Sequence, residues 1–436
     1  MQTRPFIDRS SSHQARNATV LANGTKAFRN TLLAMGAQTT AERFFNDGDP
    51  IQMTQTISRL LQPLAFKNGL TLRNRAVMAP MTTWSANPDG SISDQEVAYY
   101  RARVNGVGMV VTGCTHVTPD GIGFTDEFAS HDDRFIPSLR RLSEAARSGG
   151  APAILQIFHA GNKALPHLVP DGRVVSASAL KVPPSPFNSA EVTSHALSKE
   201  EIEGIIRAFG ETTRRAIEAG FDGIELHGAH GFLIQNFFSP MFNQREDEWG
   251  GSLENRMRFP LAVVREAQRV IAEHAKRPFL LGYRISPEEP GEGALRIGDS
   301  YVLIDRLIEA GVDYLHASLF DIPNARPADY SGEQTTAELI VEHVANRIPL
   351  IAAGLIRTPD DAEKALATGL ELVAIGQGLV MNPKWVELAT EGRGTEIATA
   401  LDSDRVPQLT IPDKLWGVIQ VAKGWFPLVE ATPPAA

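Results

Sequence analysis

The chain has 436 residues, 43% of them hydrophobic and 21% charged, with a formal net charge of −9. These are the proportions of an ordinary globular protein, and the negative balance argues against a general nucleic-acid binder, which needs a basic face. Its single cysteine, Cys114, excludes a disulfide framework, a cysteine zinc cluster or a cysteine-ligated iron–sulfur cluster within the chain.

No apolar run reaches the roughly 18–20 residues that span a bilayer. A soluble, cytoplasmic protein with no membrane partner is therefore expected. Residues 1–52 differ in character from the rest of the chain. Up to Asn30 they carry Arg4, Arg9, Arg16, Lys26 and Arg29 against one acid, Asp8, with no sustained periodicity. That composition suits an organelle leader. It equally suits a tail without fixed structure, or an upstream start with the working chain beginning near Met53, and this plainer reading is preferred.

Order is expected from Leu64. The stretch from Leu64 to Arg75 alternates apolar and polar residues around Asn68-Gly69, a dipeptide suited to the positive-φ positions of a two-residue hairpin turn. Such a hairpin would plug the lower end of a barrel. Strand-like and helix-like segments then alternate. Expected pairs are Ala76–Met81 with Asp94–Asn105, Val107–Gly113 with Pro137–Gly149, and Ala153–Phe158 with Lys199–Ala219. Ser198, with Glu201 three residues later, opens the last of these helices as a capping box. Next come Gly223–Leu226 with Ser252–His274, Leu280–Ile285 with Asp299–Ala310, and Tyr314–Ser318 with Gln334–Val344. Leu350–Ala353 with Pro359–Ala367 and Leu372–Ile375 with Pro383–Thr390 complete the series. Thr358 is the expected N-cap of the seventh helix, with proline in its first turn.

Eight βα units with short apolar strands predict an α/β fold, a parallel (β/α)8 TIM barrel over residues 53–392. A doubly wound open sheet is the rival. It would call for a G-x-G-x-x-G loop after an early strand, and none stands there. Two loops exceed the usual length: Ala160–Leu197, with a proline-rich middle from Val182, and Gly228–Gly251. Both leave the C-terminal ends of strands, where barrel enzymes build their sites. Residues 393–436 contain apolar runs at Leu415–Val421 and Trp425–Leu428 and are expected to pack on the barrel or on another subunit.

The unusual polar residues gather where strands end. Ala79, Pro80, Met81 and Thr82 follow the first strand, and Gly113 ends the second. Gln156 lies in the third, His227 and His230 follow the fourth, and Arg284 lies in the fifth. Gly354, Gly376 and Gln377 follow the seventh and eighth. A flavin mononucleotide asks for such a ring. Its flat apolar plate wants backbone and small residues beneath it. A cation or amide donor at the pyrimidine edge stabilises the reduced form, and Arg284 and Gln156 are of that type. Thr82 is a hydroxyl able to donate to O4. Phosphate wants backbone N–H groups where glycine permits close approach, which suits Gly354 and Gly376. Taken singly, the glycines are also ordinary turn residues, Arg284 a structural ion-pair partner and Gln156 a bonded core residue.

The histidine pair has two functional readings. As donors, His227 and His230 would grip the oxygen of an α,β-unsaturated acceptor and make its β-carbon electrophilic. As metal ligands, H-x-x-H after a strand occurs in barrel hydrolases, and His159, His316 and acids such as Glu225, at or near neighbouring strand ends, could complete a set.

The stretches APMT (79–82), LQIFHAGNKA (155–164), IELHGAHGFLIQNFFSPMFNQREDEWGGSLENRMRF (224–259), YRIS (283–286) and AIGQGLVMNP (374–383) occur in the order found in one known family. From about Leu64 to Trp385 the chain resembles single-domain members of the Old Yellow Enzyme (NADH:flavin oxidoreductase) family, and the central block is long and specific. The resemblance implies an FMN-binding barrel, reduced by NADH or NADPH, that passes hydride from flavin N5 to an electron-poor small-molecule acceptor. It makes His227 and His230 the oxyanion-binding pair and places Gln156 and Arg284 at the pyrimidine edge. Ala79 through Thr82 and Gly113 would line the isoalloxazine. No metal is implied, and neither oligomeric state nor natural acceptor follows.

Two departures stand out. Where the family usually has a proton-donating tyrosine this chain has Phe232, so protonation must come from water or another hydroxyl such as that of Tyr330. Otherwise the chain is a flavin-binding barrel with altered or lost alkene reductase activity. Where an arginine commonly pairs with the phosphate, this chain has Gln377, which predicts weaker FMN retention.

Overall fold

The computed structural model describes residues 58–182 and 191–429; the expectations for residues 1–52 and for 183–190 of the proline-rich loop lie outside them. Eight parallel strands form the barrel: β1 (Ala76–Met78), β2 (Met109–Val111), β3 (Ala153–Phe158), β4 (Gly223–Gly228), β5 (Leu280–Ile285), β6 (Tyr314–Ser318), β7 (Leu350–Ala353) and β8 (Leu372–Ile375). Each pairs with the next, and β8 pairs with β1, which closes the sheet. The outer helices are α1 (Asp94–Arg103), α2 (Ile136–Arg147), α3 (Lys199–Glu218), α4 (Leu253–His274), α5 (Ile297–Glu309), α6 (Thr336–Val344), α7 (Pro359–Ala367) and α8 (Trp385–Thr390). The expected TIM barrel is the observed fold.

Where bounds differ from the sequence reading, the cause is local. β1 stops at Met78 rather than Met81 because Pro80 has no N–H to give a ladder. β2 stops before Gly113, whose N–H donates to the Tyr100 hydroxyl at 2.8 Å instead of to a strand. The capping box at α3 is present in both directions, with Ser198 N–H to Glu201 Oε2 at 2.7 Å and Glu201 N–H to Ser198 Oγ at 3.2 Å. Thr358 and Asp361 cap α7 in the same way.

The hairpin ahead of β1 pairs Leu64 with Leu72 and Ala65 with Thr71, but its turn is not the two-residue kind. Phe66 and Leu70 still share a ladder bond, N–H to O at 2.8 Å, and Gly69 N–H returns to Phe66 O at 3.0 Å. Only Gly69 has positive φ, at 92°. A two-residue type I′ turn would need Asn68 there as well. Asn68 instead accepts the Leu70 N–H on its side chain at 3.1 Å, which favours a three-residue turn closed by glycine.

The hairpin packs Leu64, Phe66 and Leu72 against the barrel's inward residues Val77, Met109, Val111, Ile154, Leu280, Ile351 and Leu372. The lower interior is therefore a closed apolar core, as expected of a plugged barrel. Above it the interior turns polar. A Cβ on Gly282 would lie 2.0 Å from the Tyr314 ring, so only glycine lets that tyrosine lie against β5.

Candidate functional site

Strand register builds the upper interior. Glu225 on β4 stands beside Gln156 on β3 and Gly282 on β5, while His227 stands beside Arg284, and Arg284 beside His316 on β6. Because side chains alternate along a strand, these polar residues all face inward, one and two steps above the apolar core. Glu225 is fully buried and takes three donors: Gln156 Nε2 at 2.7 Å, Tyr314 hydroxyl at 3.1 Å and His316 Nδ1 at 3.0 Å. Burial alone would raise its carboxyl, but His316, Arg284 and the Gln156 bond outweigh it and hold the group below the usual carboxylate range.

Past β4 the chain turns sharply. His230 and Gly231 have φ of 60° and 71°, and Phe232 then caps a short helix, Leu233–Phe238, inside the long loop. The turn folds His230 back over His227, with ring centroids 5.0 Å apart. Phe232 closes the corner edge-on, 4.8 Å from His227 and 4.9 Å from Phe158. The His230 backbone is held from both sides: its N–H donates to Ser286 Oγ at 3.0 Å, and its carbonyl accepts from Lys163 Nζ.

Both imidazoles are held neutral, their pKa values well below the ordinary histidine range. For His227 the cause is burial first, then the neighbouring His230, Arg284, His316 and Lys163; for His230 it is burial, then Arg284, Lys163 and His316. His230 opens to solvent at the site's mouth, so water softens the shift there more than at His227. His227 Nδ1 accepts the Ala229 N–H at 3.3 Å, which leaves its proton on Nε2 as a donor. His230 Nε2 lies 2.6 Å from Ser318 Oγ, which also accepts from Arg284 Nη2 at 3.1 Å. Ser318 thus couples the histidine corner to the arginine.

A cleft of about 270 Å³ opens over the barrel's C-terminal rim, lined among others by Ala79, Pro80, Met81, Arg284, Ser318, Gly354, Arg357, Gly376, Gln377 and Trp425. Seven residues named from the sequence line it together: Ala79, Pro80, Met81, Arg284, Gly354, Gly376 and Gln377. The others sit around it. Gly113 backs Met81, whose carbonyl a Cβ would meet at 2.6 Å. Thr82 Oγ1 lies 3.8 Å from Cys114 Sγ, and Gln156 lies in the Glu225 cluster. His230 joins the cleft through Ser318, and His227 stands behind it in ring contact. Tyr330 is engaged elsewhere, its hydroxyl donating to Gln334 at 3.0 Å. His159 sits 3.6 Å from Asp120 and His316 faces Glu225, so neither joins the pair. Among the described residues no three His, Cys, Asp or Glu side chains are grouped to hold a metal ion.

Ser318, Lys163, Arg357 and Trp425 also shape the site, though the sequence does not single them out. A faint signal existed for two of them, since Ser318 ends β6 and Arg357 stands three residues past Gly354. Nothing in the sequence brings Trp425 to the rim.

The model of the NADH:flavin oxidoreductase / NADH oxidase family matches residues 59–396. The chain belongs to that family. It is 44% identical over 368 residues to the probable NADH-dependent flavin oxidoreductase YqiG of Bacillus subtilis (strain 168), covering 84% of this chain and 97% of that protein. It is 38% identical over 379 residues to the NADH:fumarate oxidoreductase of Klebsiella pneumoniae (strain 342), with 86% of this chain matching 39% of that longer protein. Among solved structures, morphinone reductase superposes with a TM-score of 0.64 at 27% identity, over 76% of this chain and 89% of that one. Family membership makes this a flavin-linked NADH or NADPH oxidoreductase and implies FMN as cofactor. Among the described residues no helix is long and apolar enough to cross a membrane.

Proposed function

We propose that the rim cleft binds FMN and that the protein passes reducing equivalents from NADH or NADPH to a small electron-poor acceptor such as an α,β-unsaturated carbonyl compound. The observation that carries this reading is the coupling of His230, whose neutral ring packs against that of His227, through Ser318 to an arginine lining the cleft. The donor set suits a flat, acceptor-bearing anion. Arg284 on the β5 side and Arg357 on the β7 side each keep a buried Nε with no acceptor, an arrangement costly to leave unmatched.

Arg284, with Gln156 close by in the Glu225 cluster, would hold the pyrimidine edge. Ala79 through Thr82 and Gly113 would back the ring, and Gly354, Gly376 and Gln377 would surround the phosphate. Bound there, FMN supplies two-electron chemistry between nicotinamide and acceptor. His227 offers Nε2–H to the acceptor oxygen. Because its imidazole is neutral, it polarises that oxygen as a hydrogen-bond donor and gives up no proton of its own. Lys163 and Ser286 hold the His230 backbone, so the second imidazole is aimed by a fixed turn. Phe232 packs edge-on against His227 and has no proton to give, so the acceptor's α-carbon would take its proton from solvent.

The test is an absorbance spectrum of the purified protein, then anaerobic reduction with NADH or NADPH and reoxidation with cyclohexenone. A yellow protein whose colour bleaches and returns is expected. Colourless protein that gains no flavin absorbance on adding FMN would sink the reading. A second reading, flavin binding without alkene turnover, draws on Phe232 lying against His227. It predicts bleaching by the nicotinamide with no return on adding cyclohexenone, and recovery of turnover in Phe232→Tyr.

A further inference from the structure

We propose that Arg357 supplies the counter-charge for the phosphate of the bound mononucleotide, a task that Gln377 has lost. This rests on the FMN reading and adds to it a residue outside the family resemblance.

Gln377 lines the cleft beside Gly376 but is neutral, and its carboxamide N–H donates to the Trp425 backbone carbonyl. That bond ties it to the C-terminal segment. Trp425 itself lines the cleft and meets Trp84 edge-on with centroids 5.9 Å apart. The segment is anchored again at Leu401, whose N–H donates to Pro427 O at 2.7 Å and whose carbonyl accepts from Val429 at 3.0 Å. Gln377 thus serves as a tether for residues that wall the cleft.

Arg357 stands on the loop between β7 and α7, in the same cleft as Gly354 and Gly376. Its backbone is clamped: the N–H donates to Asp361 Oδ2 at 3.1 Å, and the carbonyl accepts from Trp385 Nε1 at 2.6 Å. The side chain therefore springs from a fixed point without itself holding the loop. Its Nε is buried and finds no acceptor, and among the described residues no carboxylate pairs with it. The cleft's other arginine, Arg284, is occupied by Ser318 and faces the Glu225 cluster. Among the described residues Arg357 is thus the lining arginine with none of its side-chain donors spent, whereas Arg284 has given one to Ser318. A guanidinium presents paired N–H groups that match phosphate oxygens, and charge-assisted bonds of this kind are the strong ones.

The experiment compares FMN with riboflavin, which lacks only the phosphate, by flavin-fluorescence titration of the apoprotein. Wild type is expected to prefer FMN. Arg357→Gln should weaken FMN binding about ten- to a hundred-fold and leave riboflavin affinity within about two-fold, so the preference collapses. Arg357→Lys, which keeps the charge but not the fork, should fall between. Added salt should weaken FMN binding in wild type more than in Arg357→Gln. Unchanged FMN affinity in Arg357→Gln, or equal loss of FMN and riboflavin, would overturn the proposal. Wild-type protein that binds neither flavin would overturn the FMN reading itself, a separate result.

Discussion

Two carboxylates, one inside the barrel and one outside its wall, are buried equally and behave oppositely. Glu225 lies in the upper interior and Glu96 on α1, outside β1; both have no exposed surface. Glu225 has both oxygens filled by Gln156, Tyr314 and His316 and stays ionised. Glu96 receives the Thr83 hydroxyl at 2.6 Å on one oxygen and nothing on the other. Arg103, its nearest cation, spends its N–H groups on the carbonyls of Tyr99, Leu379 and Leu409. Burial therefore dominates, and the Glu96 pKa is pushed up to about 7. Depth alone does not set charge; the number of donors that reach each oxygen does. The fixed negative charge beneath the rim lets Arg284, His316 and Tyr314 stand together there, and the site's polarity rests on it.

The strongest way to break that comparison is to remove the charge that is fully bonded. Glu225→Ala strands three buried donors and leaves Arg284 uncompensated, so we expect a loss of about 3–5 kcal/mol in urea unfolding. Glu96→Ala should cost clearly less. Equal losses would mean that satisfaction of the two sites does not differ.

Next is the chemistry above Glu225. On the proposed reading His227→Ala removes one donor to a developing oxyanion, and the rate of reoxidation by cyclohexenone should fall about 10²–10³-fold. Flavin affinity and reduction by NADH or NADPH should hold, because His227 lies outside the cleft wall. An equal fall in the reductive step would move His227 from acceptor binding to flavin positioning.

The third effect is a pH dependence with a definite sign. Folded Glu96 keeps its proton up to about 7, whereas an unfolded glutamate releases it near 4.5. Between those values the folded state binds more protons, so stability declines as pH rises, by about 3 kcal/mol at most. Glu225, with its pKa lowered, contributes the opposite sign, stability lost only as acid protonates it. Denaturation of wild type and Glu96→Gln at pH 5 and pH 8 checks this: the variant should lose the Glu96 share of the decline.

The smallest effect belongs to the apolar layer beneath. Ile154→Val trims the closed lower core and should cost about 0.5–1.5 kcal/mol with no change in flavin affinity. A shifted affinity would show that the two halves of the barrel are mechanically coupled.

Much was legible in the residues themselves. Apolar runs of strand length with capped helices between them specify a βα series, and β3, β5, β6, β7, β8 and α7 have the expected bounds. Strand ends carry the polar residues, so the candidate rim could be named from chain order alone. Strand ends differ at Pro80 and Gly113, where a missing N–H and a side-chain acceptor draw the chain out of the ladder. They differ also at Val107, since β2 begins only at Met109, and at Leu226, past which β4 runs on through His227 to Gly228. The hairpin turn departs from the two-residue kind because Asn-Gly suits two turn types, and the choice depends on where the Asn68 side chain bonds.

What the sequence by itself determined is the barrel, its plug and the identity of the ring at its mouth, because periodicity and turn chemistry act within a few residues of each other. Partnership was decided only in three dimensions. Glu225 gathers donors from β3 and β6, which lie 69 and 91 residues away. Gln377 is turned aside by a carbonyl 48 residues on, and the cleft is walled by a tryptophan near the chain's end. Hydrogen bonds and charges reward proximity in space, which local sequence does not encode, so which donors are spent and which remain free was settled by closing the barrel.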